Sequence, residues 1–170
     1  MDARFAAVPI GVVKPYFWRQ PHQVYAGDQK VSRNSLVIPG GVNYRNRDLL
    51  KLLDIVEGNS LISENLRFVV AGGGVDRPDF EKRVADRKLL GCFEFLPVSE
   101  MSGLVLYSDY YRALDGSSFC LPLSLNKEYS TSKITSALPT SIGFGLPALI
   151  PIDQAKIYQV PAISYEGSLE

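Results

Sequence analysis

Six short runs rich in Val, Ile, Leu and Phe punctuate the chain, at Leu36–Ile38, Leu66–Ala71, Phe93–Leu96, Phe119–Leu123, Ala148–Ile152 and Ala162–Tyr165. They read as continuous rather than alternating patterns, which is how strands covered on both faces read. Their starts fall 30, 27, 26, 29 and 14 residues apart, and the first four spacings have room for a strand, a loop, a crossover helix and a return loop. The repeating unit is βα. It predicts an α/β fold: a Rossmann-like parallel sheet of about six strands with flanking helices.

Between those runs the apolar positions follow a helical period. Leu49, Leu52, Leu53 and Val56 form one stripe, with Asn46 predicted as its N-cap and Gly58 just past its end. Pro78 and Asp79 read as a helical first turn, with Phe80 and Val84 inward and a Lys/Arg-rich outer face in solvent. Ser99 followed by Glu100 predicts a further helix that turns Met101, Leu104 and Val105 inward. Another is predicted from about Ser132 to Phe144, striped by Ile134, Ala137, Leu138 and Ile142, kinked at Pro139 and ended by Gly145. Tyr107, Tyr110 and Tyr111 have the spacing of a helix face with one buried and one wet side, rather than of a stacking platform for a base.

Residues 1–34 do not follow the βα rhythm. Phe5–Val13 has strand character, but Lys14–Gln23 holds two prolines and three aromatics, so the stretch reads as an irregular arm or edge and 35–170 as the domain proper. At the other end, 165–170 reads as a strand end and an N-cap serine with no helix after it, and a closing C-terminal helix is expected to be missing.

Composition narrows the classes. With 46% hydrophobic residues in 170, one core forms without disulfides or metal. The 18 basic and 18 acidic side chains cancel, so no overall field recruits nucleic acid or an anionic membrane. Cys92 and Cys120 each sit in an apolar run, like buried free thiols of a reducing compartment. The N-terminus lacks the pattern of a secretion signal, and no apolar stretch approaches the ~20 residues of a transmembrane helix; a cytoplasmic setting is expected. His22 is alone, so neither a histidine-based metal site nor a histidine-dependent nucleophile has its parts, and it is expected on the surface of the arm.

In an open parallel sheet, ligands bind beyond the carboxyl ends of the strands. After the first strand comes Pro-Gly-Gly-Val-Asn-Tyr-Arg-Asn-Arg-Asp at 39–48, where Gly40 and Gly41 let a backbone approach a ligand and Arg45 and Arg47 stand beside a helix start. The same residues also read as a turn with two solvated arginines. After the second strand, Gly72, Gly73 and Gly74 lack the spacing of a dinucleotide fingerprint; they are either a ligand-approach loop or a tight strand exit. At 124–147, Ser130, Thr131, Ser132, Thr135 and Ser136 crowd hydroxyls onto a predicted helix start, and Lys133 adds a cation that would oppose the helix dipole unless an anion compensates it. A diphosphate fits there, although hydroxyls of this kind also cap backbone alone.

The order of these parts resembles the C-terminal, donor-binding half of glycosyltransferases of the GT-B fold. The resemblance runs through Val-Ile-Pro-Gly-Gly-Val-Asn-Tyr-Arg-Asn-Arg-Asp-Leu-Leu, Leu-Arg-Phe-Val-Val-Ala-Gly-Gly-Gly, Phe-Glu-Phe-Leu-Pro-Val-Ser, Leu-Asp-Gly-Ser-Ser-Phe-Cys-Leu-Pro-Leu-Ser and Lys-Ile-Thr-Ser-Ala-Leu-Pro-Thr-Ser-Ile-Gly-Phe-Gly-Leu-Pro, covering about 35–165. It implies a hexosyltransferase-like domain that binds a nucleotide-diphosphate sugar as substrate, with no cofactor and no metal. Arg45, Arg47, Ser132, Lys133 and Thr135 would meet the diphosphate; Leu96, Val98 and Thr140 the nucleobase and ribose; Gly40, Gly41, Gly73 and Gly74 would form the glycine loops. Many members carry two glutamates eight residues apart around the last helix, where this chain has Ser132 and Thr140, so the resemblance assigns no catalytic residue. It further implies an acceptor-binding domain or second chain, without which turnover is not expected. A non-catalytic nucleotide-binding or interaction module is the alternative.

Overall fold

A computed structural model describes residues 34–124, 135–158 and 162–165. In chain order they form β1 (Ser35–Pro39), α1 (Leu49–Glu57), α2 (Ser60–Asn65), β2 (Arg67–Ala71), α3 (Arg77–Asp86), β3 (Phe93–Phe95), α4 (Tyr107–Asp115), β4 (Phe119–Cys120), α5 (Ala137–Gly143), β5 (Ala148–Pro151), α6 (Ile152–Tyr158) and β6 (Ala162–Tyr165). All six apolar runs are strands, and they pair in parallel in the order β3-β2-β1-β4-β5-β6. The predicted Rossmann-like sheet is therefore the observed one.

Alternation along the central strands β1 and β2 explains their two-sided burial, whereas β6 at the sheet edge is partly exposed. Leu36 and Ile38 of β1, Phe68 and Val70 of β2 and Phe93 of β3 face one side, where Leu49, Leu53 and Val56 of α1 and Phe80 and Val84 of α3 cover them. Aromatic rings fill this layer: Phe68 stacks on Phe93 at 5.0 Å, and Phe80 meets Phe93 edge-on at 5.9 Å. The intervening residues Val37, Ala71 and Cys120 face the other side, against Leu114 of α4. A smaller cluster of Leu138, Ala148 and Ile150 holds the β5 end.

Several helix boundaries differ from expectation. Asp48, not Asn46, precedes α1; the Asn46 N–H is instead used in a turn onto the Asn43 carbonyl, and the Asp48 N–H bonds the Leu123 carbonyl. Gly58 does end the helix, in right-handed backbone. The helix predicted from Ser99 is absent: 99–104 closes as a turn, with the Gly103 N–H on the Ser99 carbonyl and the Ser99 N–H on the Leu104 carbonyl. Gly103 adopts φ 65°, which breaks a right-handed helix, and Met101 is left 99% exposed and Leu104 63% exposed. The helix of this segment is α4, which buries Leu114 and has Tyr110 and Tyr111 packed on the same core, as the tyrosine spacing predicted. Helix α5 runs from Ala137 with Ser136 as its N-cap and Thr135 outside any helix, while the predicted start at Ser132 lies outside the described residues. Pro139 then falls in the first turn, where a missing N–H costs no helical bond, and the predicted kink has no cause. Ile142, expected on the buried stripe, is 48% exposed. Helices α2 and α6 were not foreseen; α2 is capped by Asn59, whose side chain accepts from the Ile62 N–H at 3.3 Å. Residues 1–33 of the arm, Ser130 to Ile134 and the terminal 166–170 segment lie outside the described residues.

Candidate functional site

The sheet order makes β1 and β4 neighbours whose chains leave in opposite directions, β1 toward β2 and β4 toward β5. The crevice outside their carboxyl ends is the topological switch point of an open α/β sheet. Residues 40–47 follow β1 there and 121–124 follow β4. The two loops are joined through Arg47. Its Nη1 donates to the Pro122 carbonyl, and its backbone forms an antiparallel bridge with Ser124. Leu123 adopts φ 54°, a strained conformation for a branched apolar residue, and the Asp48 N–H on its carbonyl at 3.0 Å helps hold it there.

The loop after β1 is pinned from three sides. The Val42 N–H donates to the Gly73 carbonyl at 2.7 Å, which carries the β1–β2 pairing one step past the strands. The Tyr44 N–H donates to Asp76 Oδ2 at 2.8 Å, and the Tyr44 hydroxyl to Asp79 Oδ2 at 2.8 Å. Arg83 holds the same Asp79 oxygen at 2.6 Å. Partial burial and the Asp79 carboxylate both raise the Tyr44 phenol, while Arg83 and Tyr44 lower the Asp79 carboxyl, so this ion pair and hydrogen bond persist at neutral pH.

A cavity of about 440 Å³ opens between these loops and the entry to α5, lined by Gly40, Gly41, Asn43, Arg47, Gly74 and Thr135 among others. Among the described lining residues Arg47 alone carries charge, and none is acidic. Gly40 adopts φ 82°, and a Cβ there would come within 2.6 Å of Arg47 Nη2, so a glycine lets the guanidinium lie flat against the loop. Thr135 is buried; its Oγ1 accepts from the Ala137 N–H at 3.3 Å and its own N–H donates to the Tyr158 hydroxyl at 3.3 Å. The Thr135 hydroxyl thus meets the first N–H of α5 while Thr135 itself lines the cavity.

The structure brings together Gly40, Gly41, Gly74, Arg47 and Thr135 from the residues singled out in the sequence. Ser132 and Lys133 lie outside the described residues. Arg45 is exposed and does not line the cavity. Gly73 is turned to packing: a Cβ on it would overlap the Gly103 carbonyl oxygen. Val98 lies beside Gly73, whereas Leu96 lines a different cavity of about 630 Å³ on the α4 side of β2 and β3. The charges of that second cavity are matched within it, Arg67 to Glu94 at 2.9 Å and Arg112 to Asp109 at 3.1 Å, so it offers an anion little. The Thr140 hydroxyl donates to the Ser136 carbonyl at 2.8 Å and lies near Tyr110, whose phenol it pulls down.

Near Arg47 lies a cluster not joined together in the sequence analysis: Tyr110, Cys120, Thr140 and Ser141. Burial, then the neighbouring Cys120, push the Tyr110 phenol up to about 12, with Thr140 and Arg47 pulling the other way. Burial likewise pushes the Cys120 thiol up to about 12 against Arg47 and Ser141. Both groups therefore stay neutral near the Arg47 guanidinium at neutral pH. Nothing in the residue pattern distinguished Tyr110 from the other helix tyrosines; only the packing of α4 on α5 does.

No family model matches the chain, and no curated protein matches it by sequence. Solved structures do resemble it. WaaG, a glycosyltransferase involved in lipopolysaccharide biosynthesis, aligns with a TM-score of 0.53 at 14% identity over 78% of this chain and 32% of its own. The C-terminal domain of a group 1 glycosyl transferase family protein, LpcC from Francisella tularensis, aligns with a TM-score of 0.52 at 12% identity over 90% of this chain and 78% of its own. The chain thus has the fold of the C-terminal domain of GT-B glycosyltransferases and spans about a third of the length of WaaG.

Proposed function

We propose that this domain binds the nucleotide-diphosphate end of a sugar donor in the cavity at the switch point, for glycosyl transfer to an acceptor held by another unit. The observation that carries the reading is Arg47, the lone charge among the described lining residues, set near neutral Tyr110 and Cys120 between the loops that follow β1 and β4. When the bond between the anomeric carbon and the diphosphate oxygen breaks, the electron pair leaves with the diphosphate and the acceptor oxygen takes its place. A fixed guanidinium and backbone N–H groups stabilise that departing charge without reorganising. In this reading the base that takes the acceptor's proton is carried by the acceptor-binding unit.

A shelf of exposed apolar residues beside the glycine loops, Val75, Met101, Leu104, Leu106 and Tyr107, is the docking surface for that acceptor-binding unit. WaaG extends well beyond the part this chain matches, which is room for such a unit. Among the described residues no helix is long and apolar enough to cross a membrane, and the buried thiols of Cys92 and Cys120 suit a reducing cytoplasm.

Calorimetric titration with inorganic pyrophosphate, UDP and GDP tests the reading. At least one is expected to bind, and Arg47→Gln to weaken it about tenfold, the ~1.4 kcal/mol expected of one charge-assisted hydrogen bond. Absence of binding by the unaltered chain, or equal affinity in Arg47→Gln, would remove the diphosphate from this cavity.

A further inference from the structure

Arg77 opens α3 and is 6% exposed. Its guanidinium is used on every side: Nη1 donates to the Gly72 carbonyl at 2.8 Å, Nη2 to the Leu96 carbonyl at 2.6 Å and Nε to Glu81 Oε1 at 2.7 Å. The cation also stands 5.6 Å from the centre of the Phe95 ring. Taking a charge this far from water is costly unless its donors are matched, and a surface arginine on the same turn would have avoided the cost. Its two carbonyl partners are the first residues past β2 and β3, so one rigid fork spans two exit loops, which a lysine's single ammonium does not do with the same geometry.

The grip reaches the cavity at one remove. Gly72 packs so tightly on Gly40 that a Cβ on Gly72 would overlap the Gly40 carbonyl oxygen, and the next residue, Gly73, accepts from Val42. Gly40, Val42 and Gly74 all line the cavity. The geometry points to Arg77 as a positioning residue: by fixing the 72–74 loop against the 40–42 loop it sets the width of the anion cavity, although it does not line it. This inference rests on the diphosphate reading of that cavity.

The experiment compares the full chain with Arg77→Lys, Glu81→Ala and Arg87→Ala. The last removes another arginine of α3's end, one paired with Asp54 and Glu57 and remote from the loops. Pyrophosphate affinity is measured by calorimetry, together with hydrogen exchange at 72–74 and 96–98. Affinity is expected to fall fivefold or more in Arg77→Lys and about threefold in Glu81→Ala, with faster exchange confined to those two loops, and to stay unchanged in Arg87→Ala. Glu81 is a partly exposed partner, so Glu81→Ala keeps the question open to measurement even if Arg77→Lys fails to fold. Unaltered affinity in Glu81→Ala and in folded Arg77→Lys would overturn the inference, as would an equal loss in Arg87→Ala. Failure of the unaltered chain to bind pyrophosphate would strike the diphosphate reading itself, a distinguishable result.

Discussion

Two glycine loops leave adjacent strands of the same sheet, and they do opposite work. Gly40 and Gly41 after β1 line the cavity; the nearest atom to a Cβ on Gly41 would be the Gly73 carbonyl oxygen at 3.6 Å, an ordinary contact. Gly72 and Gly73 after β2 have no such room, since a Cβ on either would overlap a backbone carbonyl oxygen, of Gly40 and of Gly103 respectively. A glycine run beyond a parallel strand therefore does not by itself mean ligand approach. One loop is bare so that something else can come close, and the other so that its neighbours can.

Substitutions should separate the two roles. Gly72→Ala is expected to have the largest effect, about 3 kcal/mol or more of lost stability, because the obstacle is backbone and cannot swing aside. Thermal unfolding would show a fall on the order of 10 °C, and an unchanged midpoint would mean that the loops are not in backbone contact. Gly41→Ala is expected to change stability by less than about 0.5 kcal/mol but to reduce pyrophosphate affinity, since it puts a methyl group on a lining residue. Equal affinity would take Gly41 out of the site. Gly91, which has open space where its Cβ would be, sharpens the contrast: Gly91→Ala should raise stability by about 0.4–1 kcal/mol through the unfolded chain, with no effect on affinity. A loss there would indicate that glycine is disfavoured for reasons other than space.

A similar division runs through the arginines. Arg45 and Arg47 look equivalent in sequence, two residues apart in a turn. Only Arg47 meets the loop after β4, because the turn closed by the Arg47 N–H on the Asn43 carbonyl directs position 47 toward the switch point and leaves position 45 in water. Arg77, not singled out in the sequence analysis, is the deepest cation described. Its signal was available in principle, as an arginine placed at a helix start where a cation opposes the dipole. Its partners are carbonyls, however, and carbonyls carry no mark in a sequence.

The strands were legible because a strand covered on both faces must be apolar throughout, and that requirement leaves its trace residue by residue at Leu36–Ile38, Phe68–Ala71 and Ala148–Ile150. Helix α1 was legible for the same reason, through Leu49, Leu52, Leu53 and Val56. The stretch from Ser99 to Val105 misled, since apolar residues at helical spacing can equally stay on an exposed turn when Gly103 diverts the backbone.

The sequence by itself determined the βα order, the parallel sheet and the places where loops with chemistry leave it, since burial and chain connectivity act locally and repeatedly. Only the tertiary structure decided which of those loops share a cavity, which glycines give way to backbone rather than ligand, and which arginine is buried. Those outcomes depend on carbonyl positions and on contacts such as Gly72 with Gly40 and Arg47 with Pro122, between residues 32 and 75 positions apart, which no local pattern encodes.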